Sequence, residues 1–113
     1  MTTITDEMMR ERLTKTRSYA IVILHGTAKI KEPGAEQIIW EHGRRNFELR
    51  AEGKLAIVCP VNDGSGVSGI GIFNAVPAEV SKIMEGDPGV RAGLFTYEIH
   101  PCRSFPGDSL PTG

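Results

Sequence analysis

The stretch "NDGSGVSGIG", Asn62 to Gly71, decides the fold, because Gly64, Gly66 and Gly69 stand in it at the spacing G-x-G-x-x-G. In a dinucleotide site such glycines open a helix whose N-terminal N–H groups meet a pyrophosphate. The flanks here argue otherwise. "KLAIVCPV" (54–61) and "VSGIGIFNA" (67–75) are short, apolar segments rich in β-branched residues. Asn, Asp and Gly between two such segments tolerate the positive φ that a tight reversal demands. Gly69 and Gly71 then alternate with Ile70 and Ile72 in strand fashion. The reading is a β-hairpin with no cofactor at its loop, since a glycine motif counts only in its structural context.

Upstream of the hairpin, "AEQIIWEHGRRNFELRAEG" (35–53) has helical period and ends at Gly53. At about 100° per residue, Ala35, Ile38, Ile39, His42 and Leu49 share one side with Asn46, so His42 belongs to the core-facing stripe. Trp40 and Phe47 form a second apolar patch, while Glu41, Arg44, Arg45 and Glu48 are read as facing water. Two apolar patches imply two neighbours, the second being the N-terminal segment or another subunit. Earlier still, "SYAIVILH" (18–25) is apolar on both alternating faces, as a central strand covered on each side would be. "TDEMMRERLTKT" (5–16) has a polar cap, early acids and late bases, which suit a short helix docking its methionines on the body or on a neighbouring subunit.

Downstream, "VPAEVSKIMEGDPG" gives a short helix with Pro77 in its first turn and Val80, Ile83 and Met84 on one face. Gly86 ends it, and Asp87 before Pro88 favours a turn. "GLFTYEIHPC" (93–102) is the last strand, with Phe95, Tyr97 and Ile99 opposite Thr96, Glu98 and His100. The order strand, helix, strand, strand, helix, strand predicts an α+β fold, the ferredoxin-like βαββαβ plait with a four-stranded antiparallel sheet. Residues 1–17 are read as a helical extension, 18–104 as the domain and 105–113 as an irregular tail. Both helices of such a plait cover one sheet face. The other face is also apolar in the first two strands, so a homodimer with sheets packed face to face is expected.

The 113 residues suffice for one domain. Thirteen basic against fourteen acidic residues, interspersed, leave no footprint for nucleic acid. The longest apolar run, Ala20 to Leu24, is too short to cross a bilayer, and a cytoplasmic protein is expected. Cys59 and Cys102 lack metal-ligand spacing and, on opposite edge strands, lie too far apart for a disulfide within one chain. No metal and no organic cofactor are expected.

The segments "EHGRRNFELRAEGKLAIVCPV", "GSGVSGIGIF" and "GDPGVRAGLFTYEIHP" resemble the YCII-related family of the dimeric α+β barrel proteins. The resemblance implies a ferredoxin-like dimer and a pocket in which a helix histidine and the Asp of the D-P turn form a functional pair, here His42 and Asp87. It implies little about substrate, although some relatives act on chloromuconolactones. The chain departs from the family pattern where Cys59 replaces a more usual glycine and Cys102 a common tryptophan.

A carboxylate bonded to one imidazole nitrogen fixes the ring tautomer and stabilises the imidazolium, so His42 and Asp87 suit general acid/base chemistry. The plainer reading is a satisfied core histidine held by a carboxylate that caps the turn. Cys59 and Ser68, on adjacent strands, are candidate substrate-binding groups or nucleophiles for His42. Arg91, beside the D-P turn, is a candidate for an anionic ligand. His25 has no evident partner, and His100 with Glu98 suggests a polar contact at a dimer seam. Two function classes follow: a small cofactor-independent enzyme acting on a carbonyl or lactone-like metabolite, or a dimeric binding or scaffold domain whose His and Asp are structural.

Overall fold

The structure, a computed structural model, describes residues 2–113. The chain runs through α1 (Asp6–Leu13), β1 (Arg17–Gly26), a 3-10 turn (Ala28–Lys31), α2 (Ala35–Ala51), β2 (Leu55–Pro60) and β3 (Val67–Phe73). It continues through α3 (Pro77–Glu85), the one-turn α4 (Pro88–Arg91) and β4 (Phe95–Ser104). The four strands form one antiparallel sheet in the order β2-β3-β1-β4. This is the α+β ferredoxin-like plait.

Local chemistry explains the boundaries. The β2–β3 loop holds Gly64 and Gly66 at φ 77° and 90°, so these two residues supply the reversal and open no helix. Pro77 starts α3 and Gly86 caps its end. The sequence reading took Asp87-Pro88 as a turn; it is also the start of a further helix, with Asp87 as N-cap and Pro88 in the first turn.

The core lies between one face of the sheet and the helices. Ala20, Val22 and Leu24 of β1 meet Leu49 of α2, Val80 and Met84 of α3, and Phe73 and Phe95 of the neighbouring strands. On the other face Ile21, Ile23 and Ile72 are half-buried and Ile70 is exposed. Among the described residues no element covers that face.

Two irregularities in strand pairing change which side chains face the helices. Leu55 pairs with Phe73, yet Ile57 pairs with Ile72, so Ala56 is an extra residue in β2. Leu24 pairs with Gly69 and His25 with Val67, so Ser68 is the extra residue in β3.

Some expectations fail within one chain. No residue of α1 is fully buried; Met8 is half-buried and Met9 is 51 % exposed. Trp40 and Phe47 are 67 % and 68 % exposed, and the Arg50 guanidinium lies over the Phe47 ring. The tail is held at its root, where Arg103 donates to the Thr16 hydroxyl, the Thr16 carbonyl and the Ser18 hydroxyl.

Candidate functional site

His42 lies midway along α2 and Asp87 at the head of α4, and the packing of α2 against α4 brings them together. His42 Nδ1–H donates to Asp87 Oδ1 at 2.7 Å. An ionised carboxylate only accepts, so this bond puts a proton on Nδ1; in the neutral ring Nε2 is then the acceptor. Asn46, one turn along α2, sets its Nδ2 3.4 Å from Nε2, a long contact. The Phe95 ring packs against the imidazole with centroids 4.9 Å apart, tilted by 46°.

Asp87 is 1 % exposed, and every part of its carboxylate is used. Oδ2 accepts from the N–H groups of Gly89 and Val90 at 3.0 and 3.1 Å, capping α4. Oδ1 takes the His42 bond and lies 3.9 Å from Arg45 Nη1. Burial by itself pushes this carboxyl up; the His42 hydrogen bond and charge, the Val90 N–H and the Arg45 charge outweigh it and hold Asp87 below the ordinary carboxylate range.

Sequence reasoning placed Arg45 in water. Instead it is half-buried over Gly86, where an added Cβ would stand 3.0 Å from its Nη2. Gly89 was missed altogether. A Cβ there would come within 2.5 Å of the Phe95 ring, so the bare glycine lets the ring reach His42. The signal was present as Asp-Pro-Gly, an N-cap followed by a first-turn proline and a residue with no side chain.

His42 opens onto a cavity of about 640 Å³ between α2 and the sheet. Its walls are chiefly apolar, with Val22, Leu24, Leu55, Phe73 and Phe95 from the strands. Ile30, Ile39 and Met84 come from the surrounding helices. The polar residues of the lining are His42, Asn46, Asn62 and Ser68. Three glycines, Gly43 on α2 and Gly69 and Gly71 on β3, also belong to it.

Of the candidates from sequence, the structure brings His42, Asp87 and Ser68 to this region. The bulge at Ser68 turns its hydroxyl to the helix side, where a Cβ on Gly26 would lie 2.9 Å from Oγ. Cys59 is corrected. The extra residue at Ala56 offsets the alternation, so Val58 faces the cavity while Cys59 pairs with Ile70 on the opposite face, exposed. Cys59 therefore leaves the cavity untouched. Arg91 is also corrected, being exposed at the end of α4 and absent from the lining.

A second group of titratable side chains sits on the uncovered sheet face. Glu98 receives His25 Nε2 at 2.7 Å and His100 Nε2 at 3.2 Å, so His25 has the partner the sequence did not show. Those two histidine bonds hold the Glu98 carboxyl below its ordinary range. Among the described residues no group of three or more His, Cys, Asp or Glu side chains is arranged to hold a metal ion. No helix is long and apolar enough to cross a membrane.

No family model matches the chain, and no curated protein matches it. Among solved structures it is similar to 5-chloro-2-hydroxyhydroquinone dehydrochlorinase (TftG) from Burkholderia phenoliruptrix AC1100, in complex with 2,5-dihydroxybenzoquinone. The TM-score is 0.51 at 20 % identity, over 73 % of this chain and 90 % of that one. The likeness is one of fold.

Proposed function

We propose that the chain is a small cofactor-independent enzyme of the YCII-related type, a cytoplasmic homodimer that uses His42 and Asp87 for proton transfer on a carbonyl or lactone-like metabolite. The observation that carries this reading is His42, tied through Nδ1 to Asp87, in the lining of a cavity of about 640 Å³. In the forward step Nε2 takes a proton from the carbon beside a carbonyl, or from a hydroxyl; the positive charge that develops on the ring faces the Asp87 carboxylate. Asn46, whose amide makes only a long contact with Nε2, is free to turn that amide to the substrate as Nε2 takes the proton. The likeness to a dehydrochlorinase, an enzyme of the same fold, supports the enzymatic reading.

The dimer rests on the uncovered sheet face, where Ile21, Ile23, Ile70 and Ile72 lie side by side through the β1–β3 register. Sedimentation of the Ile70→Lys variant tests it: the substitution is expected to give monomers, and an unchanged mass would sink the sheet-to-sheet dimer.

The test of the chemistry is His42→Ala assayed on a panel of lactones and enolisable carbonyl compounds, with urea denaturation in parallel. Loss of at least about 100-fold in kcat/KM is expected, the usual share of a general base, with the fold retained. Asp87 also caps α4, and this favours a second reading in which the pair is structural and the domain only binds. On that reading His42→Ala lowers stability and leaves any turnover unchanged.

A further inference from the structure

We infer that α1 of one copy of this chain docks, antiparallel, on the outer face of α2 of a second copy, seating Met9 and Leu13 against Trp40 and Phe47. The contact is separate from the sheet-to-sheet dimer and from the chemistry of His42. Three observations carry it. First, α1 is a helix without support. It has eight residues, none fully buried, whereas isolated helices shorter than about 12–15 residues are marginal in water. Its Thr5 cap, early acids and late bases favour it only modestly. The chain is also extended: its radius of gyration is 16.6 Å and its longest dimension 56 Å. A compact domain of this length has a radius of roughly 13 Å. α1 and the tail, neither with a fully buried residue, lie outside the core.

Second, the two surfaces match in size. Met9 and Leu13, one turn apart on α1, and Phe105 of the tail line a groove of about 490 Å³. Trp40 and Phe47, two turns apart on α2, stand on the side away from the core and are mostly exposed. Seven residues of helix rise about 10.5 Å and eight about 12 Å, so α1 spans both aromatic side chains. Gly43 lies between them, and nothing stands within 4 Å of where its Cβ would be, so a second helix can approach closely there. Large apolar groups left in water beside a charged rim mark an interaction surface. Both patches are open in the single chain, so α1 does not cover its own α2; a second copy supplies the missing half of each.

Third, charge sets the direction. Along α1 the acids Asp6 and Glu7 come first and the bases Arg10 and Arg12 last, with Lys15 beyond. Along the outer side of α2, Glu36 lies one turn before Trp40, and Arg44 and Arg50 flank Phe47. Antiparallel docking sets Asp6 and Glu7 against Arg44 and Arg50, and Arg12 and Lys15 against Glu36; parallel docking sets like against like. Lys15 and Arg44 now hold exposed local partners, Glu11 at 3.4 Å and Glu41 at 3.1 Å. Such surface pairs are exchanged at little cost.

The patch is small, so the contact is weak and fills at high concentration. Trp40 is the only tryptophan and lies on the helix side, so its indole N–H reports this contact and not the sheet-to-sheet one. The experiment records that NMR signal in the full chain at about 20 μM and at about 1 mM, concentrations that bracket a weak complex, with a dissolved paramagnetic agent present. The signal is expected to be broadened by the agent in the dilute sample, and shifted and shielded from it in the concentrated one. Met9→Asp with Leu13→Asp, which touches no fully buried residue, is expected to leave the indole open at both concentrations. Arg12→Glu is expected to weaken the shielding, and Arg12→Glu with Glu36→Arg to restore it. In Ile70→Lys, a single chain when dilute, the shielding of the concentrated sample is expected to persist. An indole equally open at both concentrations, shielding that survives the α1 variant, a charge exchange that restores nothing, or loss of shielding in Ile70→Lys overturns the inference.

Discussion

Two histidine–carboxylate pairs in this molecule have the same separation, 2.7 Å, and opposite surroundings. His42 and Asp87 are 13 % and 2 % exposed as side chains, with the carboxylate held by two backbone N–H groups and an arginine. His25 and Glu98 are 37 % and 50 % exposed on an open sheet face, and Glu98 is shared with His100. Distance alone therefore does not separate them. Where water competes for both partners the bond is worth little; where water is excluded, removing one partner strands the other.

The largest expected break in that contrast is Asp87→Ala. It removes the His42 partner and the α4 cap together, and should lower the unfolding free energy in urea by about 3–5 kcal/mol, the range for a broken buried pair. A drop below about 1 kcal/mol would show that the two pairs do not differ in kind. Gly89→Ala comes next. Its Cβ would overlap the Phe95 ring and should cost about 1–3 kcal/mol through overpacking, with a changed near-UV spectrum as Phe95 leaves His42.

Acid gives a smaller and more diagnostic effect. The Asp87 carboxyl is held below its ordinary value of 3.8 in the folded chain. Its contribution to stability is thus complete above that value and is lost as pH falls through the lower folded one. Urea midpoints measured down the acid range should show this loss, and His42→Ala, which removes a principal cause of the depression, should flatten it. The smallest effect belongs to Glu98→Gln. Measured in the Ile70→Lys background, where that sheet face stays in water, it should leave the urea midpoint unchanged at neutral pH and high salt, and a clear destabilisation would erase the contrast.

Much of the plait was legible because each signal was local. Period-two alternation marked β4, helical period marked α2, and Asn, Asp and Gly marked the reversal that ruled out a dinucleotide loop. The His42–Asp87 meeting was legible on the side of His42, which helical phase put in the inner stripe; its distant partner came from the family resemblance. What alternation could not show was the two bulges. One extra residue at Ala56 sends Cys59 to the far face, and one at Ser68 brings a hydroxyl to the near face. Such offsets are fixed by main-chain hydrogen bonding between strands, which leaves little trace in side-chain pattern. Arg45 was misjudged for a related reason, since a long side chain at the rim of a stripe reaches whatever charge a distant turn supplies.

The cavity beside His42 also has a thermodynamic consequence. About 640 Å³ between α2 and the sheet leaves wall side chains such as Ile30, Ile39 and Val58 only half-buried, so the folded chain forgoes dispersion contacts that a closed core would make. A guest that fills the space restores them and binds the native form alone. Heating the protein with candidate compounds would then rank them by the rise in melting temperature, each tenfold of free compound beyond its dissociation constant adding about 1.4 kcal/mol, before any reaction has been assigned.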